Sequence, residues 1–250
     1  MDASIPVSRI NDFDAIADVY DELVEWAPYE VWVAELEERL RRWGLKSGGW
    51  ILDAACGTGL SMLPWLQRGY RVVGADVSEP MLERCGGRLR QAGYNVELLR
   101  QDLLHLEPGR AFDAAICMHS GLDYILDEGD LEAAFRSLRG CLERGGLLAF
   151  DKCLDEPAFY RDDYSDSRRL SCGSARFEYR WDRSRRLLEQ RCTVLRTRGS
   201  GPARTEVVYH LKAIRPDELI AMVLRAGFVV VEAPKQFTIP DPGMGIFRAI

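Results

Sequence analysis

Short apolar runs alternate with amphipathic stretches through the middle of the chain. The apolar runs predict five β-strands, at residues 50–52, 71–74, 96–99, 112–118 and 147–150. Apolar positions at helical spacing predict helices at residues 60–68, 80–92 and 131–142, with Ser78 as an N-cap before the second of them. Strands that alternate with helices of this length indicate a parallel sheet covered by helices on both faces.

The alternation changes towards both ends of the chain. Helical spacing, interrupted at Pro28, predicts a helical N-terminal segment over residues 13–43. Three strand-like runs separated by turn signals predict an antiparallel insertion, at residues 177–181, 192–195 and 207–211. A helix is then predicted at residues 216–226, and a terminal hairpin of residues 228–232 and 245–250 completes the sheet.

We therefore predict an α/β fold with a Rossmann-like, seven-stranded, mostly parallel sheet and helices on both of its faces. A small antiparallel β insertion follows the fifth strand. The predicted domains are an N-terminal helical lid (1–48), a cofactor-binding core (49–151 and 213–250) and an antiparallel cap insertion (152–212).

Composition narrows the class of protein. The 250 residues carry a net charge of −6, which does not favour a nucleic-acid partner. No apolar stretch approaches the roughly 18 residues that span a membrane, and residues 1–10 lack the basic start and apolar region of a signal peptide. Seven scattered cysteines and three histidines indicate reduced thiols and no metal site. We expect a cytoplasmic monomer or homodimer that binds neither membranes nor nucleic acid.

The strongest candidate for chemistry is the sequence Leu-Asp-Ala-Ala-Cys-Gly-Thr-Gly at residues 52–59. It follows the first predicted strand and precedes a helix, which is where ligands bind in open α/β sheets. Its two glycines allow a sharp turn and the close approach of a ligand. A nicotinamide dinucleotide site favours a third glycine, but Met62 occupies that position.

Acidic residues end three successive predicted strands, at Asp53, Asp76 and Asp102. The carboxylate of Asp76 is placed to accept two hydrogen bonds from a ribose diol. A single acid in such a position is also common in solvated loops. The repetition at three neighbouring strand ends is therefore the stronger indication of a ligand site.

With these residues the chain resembles class I S-adenosylmethionine-dependent methyltransferases over essentially its whole length. It is most similar to bacterial small-molecule methyltransferases that have an N-terminal helical lid and an antiparallel insertion after the fifth strand. The segments that carry the resemblance are residues 13–23 with Tyr29 and Trp32, 53–59, 74–78 with Met81 and Leu82, 101–102, 112–124 and 142–147.

The resemblance implies S-adenosylmethionine as the cofactor and assigns its contacts. Asp53 and the loop after it would hold the methionine part, Asp76 the ribose and Asp102 the adenine amino group. The implied cofactor-binding residues are Tyr20, Trp32, Asp53, Ala55, Cys56, Gly57, Gly59, Asp76, Val77, Met81, Asp102, Leu103, Met118 and His119. Tyr20 and Trp32 would close the site from the lid, and Val77 and Met81 would flank the adenine.

One segment departs from the family pattern. An acid-serine pair, as in D-S-x-N-Y, is common after the fourth strand, but this chain has His-Ser-Gly-Leu-Asp-Tyr at residues 119–124. Methyl transfer is an in-line displacement in which the protein mainly aligns the reactants, and a base is needed only for an acceptor that must lose a proton. His119 is the first candidate for that base, because its ordinary pKa is near neutrality. Tyr124 and His210 are further candidates, and a purely structural role is the alternative for all three.

The predicted cap is rich in arginine. Residues 168–204 contain eleven arginines and three acidic residues, which suggests either an anionic substrate or a solvated face. We predict methyl transfer to nitrogen or oxygen of a small-molecule acceptor. The alternatives are a cofactor-binding protein without turnover, a nicotinamide-dependent oxidoreductase and, because of the basic cap, an RNA methyltransferase.

Overall fold

The computed structural model describes residues 13–154, 164–197, 203–235 and 243–250. Seven strands form one sheet, in the order β10-β11-β5-β4-β1-β2-β3. These strands are β1 (Trp50–Ala54), β2 (Arg71–Asp76), β3 (Leu98–Arg100), β4 (Phe112–Cys117), β5 (Leu142–Phe150), β10 (Phe228–Glu232) and β11 (Gly245–Ala249). β11 runs antiparallel to both of its neighbours, whereas β1 to β5 are parallel. The carboxyl ends of β1, β2, β4 and β5 therefore meet at one edge of the sheet.

Helices cover both faces of this sheet. They are α2 (Tyr29–Arg42), α3 (Met62–Gln67), α4 (Glu79–Gln91), α5 (Glu128–Gly140) and α6 (Pro216–Arg225), whereas the four-residue α1 (Tyr20–Leu23) packs away from this sheet. The Ser78 side chain accepts the Met81 N–H, which confirms it as the N-cap of α4. Two apolar clusters fill the space between sheet and helices, one around Phe135 and Phe150 and the other around Trp32 and Trp65. The central strands are apolar on both sides because both sides are covered.

A second sheet of four antiparallel strands has the order β6-β7-β8-β9. Its strands are β6 (Tyr164–Leu170), β7 (Gly173–Asp182), β8 (Leu187–Arg196) and β9 (Ala203–Lys212). One face carries buried apolar side chains such as Phe177, Leu188 and Tyr209, and these pack against Ile16 and Leu23 of the N-terminal segment. The second sheet and the N-terminal segment thus share an apolar cluster of their own.

The fold prediction is confirmed, including the antiparallel insertion after the fifth strand. The predicted domain boundaries stay a prediction, and the described strands of the second sheet all fall within residues 152–212. The helical segment predicted over residues 13–43, with its interruption at Pro28, consists of a 3₁₀ turn at Asp14–Ile16, the four-residue α1 and α2. Pro28, which disfavours a helical Ala27 and lacks an N–H, separates α1 from α2.

Two further differences concern strands. The insertion has four described strands and not three, because β6 is a mostly exposed edge strand with little apolar alternation to mark it. β5 begins at Leu142 and not at Leu147, since a bulge at Gly145, with φ of +82°, lets the chain pair with β4 on both sides of it. None of the helices in the described ranges is long and apolar enough to cross a membrane.

Candidate functional site

The loop after β1 has a left-handed backbone at three positions. Ala55, Gly57 and Gly59 have φ values of +61°, +53° and +80°. A Cβ at Gly59 would lie 2.6 Å from Sγ of Cys85, whereas a Cβ at Gly57 would meet nothing within 4 Å. Gly59 is therefore required for packing against α4, while Gly57 faces open space. The backbone at Gly57 is the part of the loop that a ligand can approach closely.

Asp76 lies at the end of β2 and holds this loop. Its Oδ2 accepts the Gly57 N–H at 2.8 Å, and its Oδ1 accepts the Ser78 N–H at 2.9 Å. Burial raises the pKa of Asp76, and these N–H groups oppose the rise. The side chain is only partly buried, and each carboxylate oxygen has a further lone pair to offer.

Asp53 lies beside it at the end of β1 and is 1% exposed. Its Oδ2 accepts a hydrogen bond from the Ser61 hydroxyl. Burial raises the pKa of Asp53 to about 7, against the opposing effect of that hydrogen bond. The carboxyl thus titrates near neutrality at the base of the loop.

The remaining predicted cofactor contacts lie around the ends of β2 and β3. Oδ1 of Asp102 accepts the Leu104 N–H at 3.0 Å, and Val77, Asp102 and Leu103 are all partly exposed. Met81 is buried on α4. Cys56 is also buried, and its N–H donates to the carbonyl of Ala75 at 3.0 Å. The structure brings these residues to the same edge of the sheet as Asp53 and Asp76, although the Cys56 thiol is turned into the core.

The N-terminal segment covers the loop. Oδ1 of Asp14 accepts the Ser78 hydroxyl at 2.5 Å, and Oδ1 of Asp21 accepts the Thr58 hydroxyl at 2.6 Å. Asp21 also pairs with Arg88 on α4. Residues 13–27, which we call the lid segment, are therefore tied by two carboxylates to the elements that flank the glycine loop.

His119 follows β4 within a group of aromatic rings. Its Nδ1 is hydrogen-bonded to the Tyr29 hydroxyl, which also bonds Tyr20. The rings of Trp26 and Trp32 lie 5.5 and 5.8 Å from the imidazole ring between centroids. Burial, and to a lesser degree the positive charge of Arg168, lowers the pKa of His119 to about 4. The imidazole is therefore neutral at physiological pH, and Nδ1 is already engaged.

A cavity of about 840 Å³ lies between the lid segment, the ends of β4 and β5, and the apolar face of the second sheet. Its walls combine aromatic side chains with charged ones such as Glu22, Glu25, Asp166, Arg168 and Arg169. The aromatic side chains include Phe13, Tyr20, Trp26, Tyr124, Phe177 and Tyr209. Phe13 stacks on Tyr209 with centroids 4.7 Å apart and meets Tyr124 edge-on at 5.1 Å. Tyr20 lines this cavity and also lies close enough to Asp76 for the Asp76 charge to contribute to its raised pKa, so the cavity adjoins the glycine loop that Asp76 holds.

Sequence reasoning missed the polar floor of this cavity. Asp151 follows β5 directly, is 2% exposed, and accepts the Ser120 N–H through Oδ2 at 2.7 Å. Beside it, Nζ of Lys152 lies 2.8 Å from Oδ1 of Asp123, and both side chains are buried. The available signal was the pattern already used for Asp53 and Asp76: Asp151 is another acid at the end of a central strand.

The structure does not bring every candidate to the site. His210 on β9 lies on the face of the second sheet opposite Tyr209 and Leu211, where its Nε2 is 3.7 Å from Glu189. That position gives it no contact with the cavity, because successive residues of a strand point to opposite faces. Tyr124 lines the cavity. Met118 and Trp32 are buried beside His119.

Most of the cap arginines whose contacts are described pair with carboxylates. Examples are Arg191 with Glu206, Arg196 with Asp18 and Arg186 with Glu218. This pairing favours a solvated, charge-balanced face over a broad anion-binding surface. Arg168, which pairs with Asp166, and Arg169 also line the cavity, and Arg168 lies over the Phe177 ring.

The acceptor groups at this edge of the sheet fit the expected cofactor. S-adenosylmethionine carries an ammonium, a sulfonium, a ribose diol and an adenine amino group, all of which favour carboxylates or other acceptors. The edge of the sheet offers Asp53, Asp76 and Asp102 around a glycine loop with open space at Gly57. Within the described ranges no group of three metal-ligating side chains is found.

Comparison with known proteins agrees with this geometry. Residues 51–146 match the family model of a methyltransferase domain. A putative methyltransferase from Geobacillus sp. strain WCH70 is 30% identical over 139 residues, 56% of each chain. A dTDP-3-amino-3,4,6-trideoxy-alpha-D-glucopyranose N,N-dimethyltransferase from Streptomyces venezuelae is 30% identical over 116 residues, 46% of this chain and 45% of that protein. The matched region thus spans about half the length of these curated relatives.

Solved structures resemble a larger part of the chain. The crystal structure of Streptomyces venezuelae DesVI has a TM-score of 0.79 and 21% identity, covering 94% of this chain and 98% of that one. A S-adenosylmethionine-dependent methyltransferase from Clostridium acetobutylicum has a TM-score of 0.78 and 19% identity, covering 95% and 98%. At such identities the likeness concerns the fold. The predicted Rossmann-like fold with its antiparallel insertion is therefore confirmed, and residues 51–146 match a methyltransferase domain.

Proposed function

We propose that this chain, which carries a methyltransferase domain, transfers a methyl group from S-adenosylmethionine to a nitrogen or oxygen of a small molecule. The observation that carries the proposal is the glycine loop at residues 55–59, held by Asp76 and roofed by the lid segment, beside an aromatic cavity of about 840 Å³. Cofactor and acceptor would thus meet where the cleft and the cavity adjoin, near His119.

We take the cofactor contacts of this proposal from the resemblance to class I methyltransferases, and the acceptor groups at the strand ends support them. Asp53 and the backbone of Ala55, Cys56, Gly57 and Gly59 would hold the methionine part. Asp76 would accept from the ribose diol, and Asp102, with the Leu103 backbone, from the adenine. Val77 and Met81 would flank the adenine, and Tyr20, Trp32, Met118 and His119 would enclose the sulfonium. The bound cofactor supplies an activated methyl group, and these residues align it and exclude water.

Nitrogen is the acceptor atom that the relatives favour. The Streptomyces venezuelae relative is an N,N-dimethyltransferase of an amino sugar nucleotide, and another relative, from Halorhodospira halochloris, is a glycine/sarcosine N-methyltransferase. The site suits such chemistry because alignment is its main task, and a base is needed only to remove a proton from the acceptor. We retain the cytoplasmic location and the small-molecule acceptor as parts of this proposal.

The competing functions fit the structure less well. In a dinucleotide site the third glycine permits close contact between helix and strand. In this chain Met62 stands at that position, and Gly74 on β2 leaves space for the Met62 side chain. A Cβ at Gly74 would lie 2.7 Å from Sδ of Met62. The paired cap arginines and the net charge of −6 count against an RNA substrate.

Thermal unfolding with and without S-adenosylmethionine tests the proposal. Ligand at about 100 times its dissociation constant adds ~2.7 kcal/mol, a rise of roughly 5–10 °C for a domain of this size. Asp76→Ala should abolish the rise. Asp217→Ala, which removes an exposed carboxylate on α6 paired with Arg215, should keep it. No rise in the wild type with S-adenosylmethionine or its demethylated product would contradict the proposal, and a rise with NAD would revive the oxidoreductase.

A further inference from the structure

One oxygen of the Asp151 carboxyl makes no hydrogen bond with any described part of the chain. Oδ2 accepts the Ser120 N–H at 2.7 Å, and the N–H groups of His119 and of Asp151 itself also act to lower the pKa of the carboxyl. Oδ1 is nevertheless buried and has no hydrogen-bond partner among the described residues. A buried carboxylate oxygen without a donor is costly, so a native site that keeps one generally has a use for it. Asp151 lines the cavity, and the unsatisfied acceptor therefore belongs to the cavity wall.

The surroundings of Asp151 do not neutralise it. Lys152 is the adjacent residue, but its ammonium is committed to Asp123 and to the carbonyl of Lys212. Arg168, across the cavity, pairs with Asp166 and donates to the carbonyl of Leu23. The site thus has room for one more cationic donor, and its aromatic walls favour a cation as well.

We propose that the acceptor is an amine whose protonated nitrogen binds Oδ1 of Asp151, and that Asp151 takes the proton which the nitrogen must lose before methylation. This inference rests on the proposed methyltransferase function and names the substrate class of the same site. The aromatic walls imply that the amine sits on an apolar or ring-shaped body.

The step balances without another reactant. An N–H proton of the ammonium passes to Oδ1 of Asp151, and the lone pair left on nitrogen forms the new N–C bond. The S–C bond of the sulfonium breaks, and its electron pair stays on sulfur. The methylated ammonium then carries the positive charge. Asp151 then returns its proton to solvent.

Asp151 suits this role better than His119 does. Burial, with a contribution from the charge of Asp123, raises the pKa of Asp151 to about 7, so it can both bind an ammonium and accept its proton near neutral pH. His119 has a pKa lowered to about 4, and its Nδ1 is engaged by Tyr29. His119 is then left to position the reactants.

Several titratable groups bear on Asp151. Asp123 and Lys152 lie on the cavity floor, Cys117 lies on β4, Tyr20 and Tyr29 come from the lid segment and α2, and His119 and Arg168 face the cavity. The cavity is also lined by the charged side chains of Glu22, Glu25, Asp166 and Arg169. The phenols and the thiol are neutral near pH 7, because burial raises their pKa values. Amine binding should therefore rise with pH through about 7, as Asp151 ionises, and fall again as the amine loses its own proton.

Binding to the complex with S-adenosylhomocysteine tests the inference. The probes are benzylamine, phenethylamine and cyclohexylamine, each compared by calorimetry with the alcohol of the same shape. The wild type should prefer the amines, and Asp151→Asn should lose roughly 10- to 100-fold of amine affinity while alcohol affinity changes little. Asp113→Asn is the matched control, since Asp113 also accepts a backbone N–H, from Trp50 at 2.8 Å, but lies near the amino end of β4.

The outcomes separate the two proposals. If S-adenosylhomocysteine does not bind the wild type, the proposed function fails. If it binds both the wild type and Asp151→Asn, yet no amine binds better than its alcohol, the inference about Asp151 is overturned. It is equally overturned if Asp151→Asn keeps the amine preference. If an amine is also methylated, Asp151→Asn should abolish the rise of kcat/KM through pH 7, which a merely structural role would leave in place.

Discussion

Lys152 and Asp123 form a buried ion pair at the floor of the cavity. Nζ of Lys152 lies 2.8 Å from Oδ1 of Asp123, and the two side chains are 0% and 2% exposed. The same Asp123 oxygen accepts the Cys153 N–H at 2.9 Å, and the lysine also donates to the carbonyl of Lys212. The pair thereby joins the loop after β4, the segment after β5 and the end of β9.

Breaking this pair from one side should be costly. Lys152→Met leaves the Asp123 carboxylate buried without its cation and should lower the free energy of unfolding by about 3–5 kcal/mol. The double variant Asp123→Asn with Lys152→Met removes both charges and should lose distinctly less. Urea unfolding of the two single variants and the double variant measures the coupling. A loss below about 1 kcal/mol in Lys152→Met would contradict the buried pairing.

The two glycines of the loop should respond differently to alanine. Gly59→Ala combines a left-handed φ with a Cβ 2.6 Å from Sγ of Cys85, and should cost about 2–5 kcal/mol of stability. Gly57→Ala meets open space and should cost only the backbone term of about 1–2 kcal/mol. It should nevertheless weaken cofactor binding, because its methyl group enters the cleft. Adding Cys85→Ala should recover part of the stability of Gly59→Ala and none of that of Gly57→Ala.

The carboxylates of the lid segment allow a matched test of cofactor retention. Asp21→Asn weakens the contacts with Thr58 and Arg88 and should speed the release of bound S-adenosylhomocysteine roughly 2- to 10-fold. Asp18→Asn, which alters only the described contact with Arg196 of the second sheet, should leave that rate nearly unchanged. A chase of labelled ligand with unlabelled ligand measures both rates. Equal release rates in the two variants would mean that the contacts of Asp21 with Thr58 and Arg88 do not retain the cofactor.

Stability should depend on pH through Asp151 and His119 with opposite signs. The pKa of Asp151 is raised from 3.8 to about 7 in the fold, so its contribution is complete below pH 4 and is lost as pH rises to 7. The pKa of His119 is lowered from 6.5 to about 4, so its contribution is lost as pH falls from 6.5 to 4.

Relative to the wild type, Asp151→Asn should therefore gain stability as pH rises from 4 to 7, by on the order of a few kcal/mol. His119→Gln should gain over a similar range as pH falls. Urea unfolding at pH 4.5, 5.5, 6.5 and 7.5 measures both trends. Parallel curves for Asp151→Asn and the wild type would show that Asp151 ionises in the fold as it does in the unfolded chain.

The core of the fold and the glycine loop could be predicted because their signals are local. Apolar runs mark β1, β2 and β4, and the sequence at residues 52–59 contains its own turn chemistry. The edge strand β6 could not be found in this way. Most of its side chains are exposed, and it is held by backbone pairing with β7, so its sequence lacks an apolar pattern.

The candidate site shows the same division. Asp53 and Asp76 could be found from their places at strand ends, and the structure joins Asp76 to Gly57. The lack of a hydrogen-bond partner for Oδ1 of Asp151 could not be predicted from the sequence. It depends on residues that the fold brings together from β4, β5 and the second sheet. The orientation of His210 follows from the alternation of side chains along β9. Tyr209 lines the cavity, so the next residue, His210, points to the opposite face of the sheet.

The lid segment has neighbouring residues tied to opposite walls. Asp21 bonds Thr58 and Arg88 beside the glycine loop, while the next residue, Glu22, accepts the Ser171 hydroxyl of the second sheet at 2.7 Å. A ligand that orders the contacts of Asp21 also orders those of the adjacent Glu22. The second ligand then has less conformational entropy of the lid segment to remove when it binds. Such an effect is necessarily reciprocal: whatever factor the cofactor adds to the affinity for the acceptor, the acceptor adds to the affinity for the cofactor.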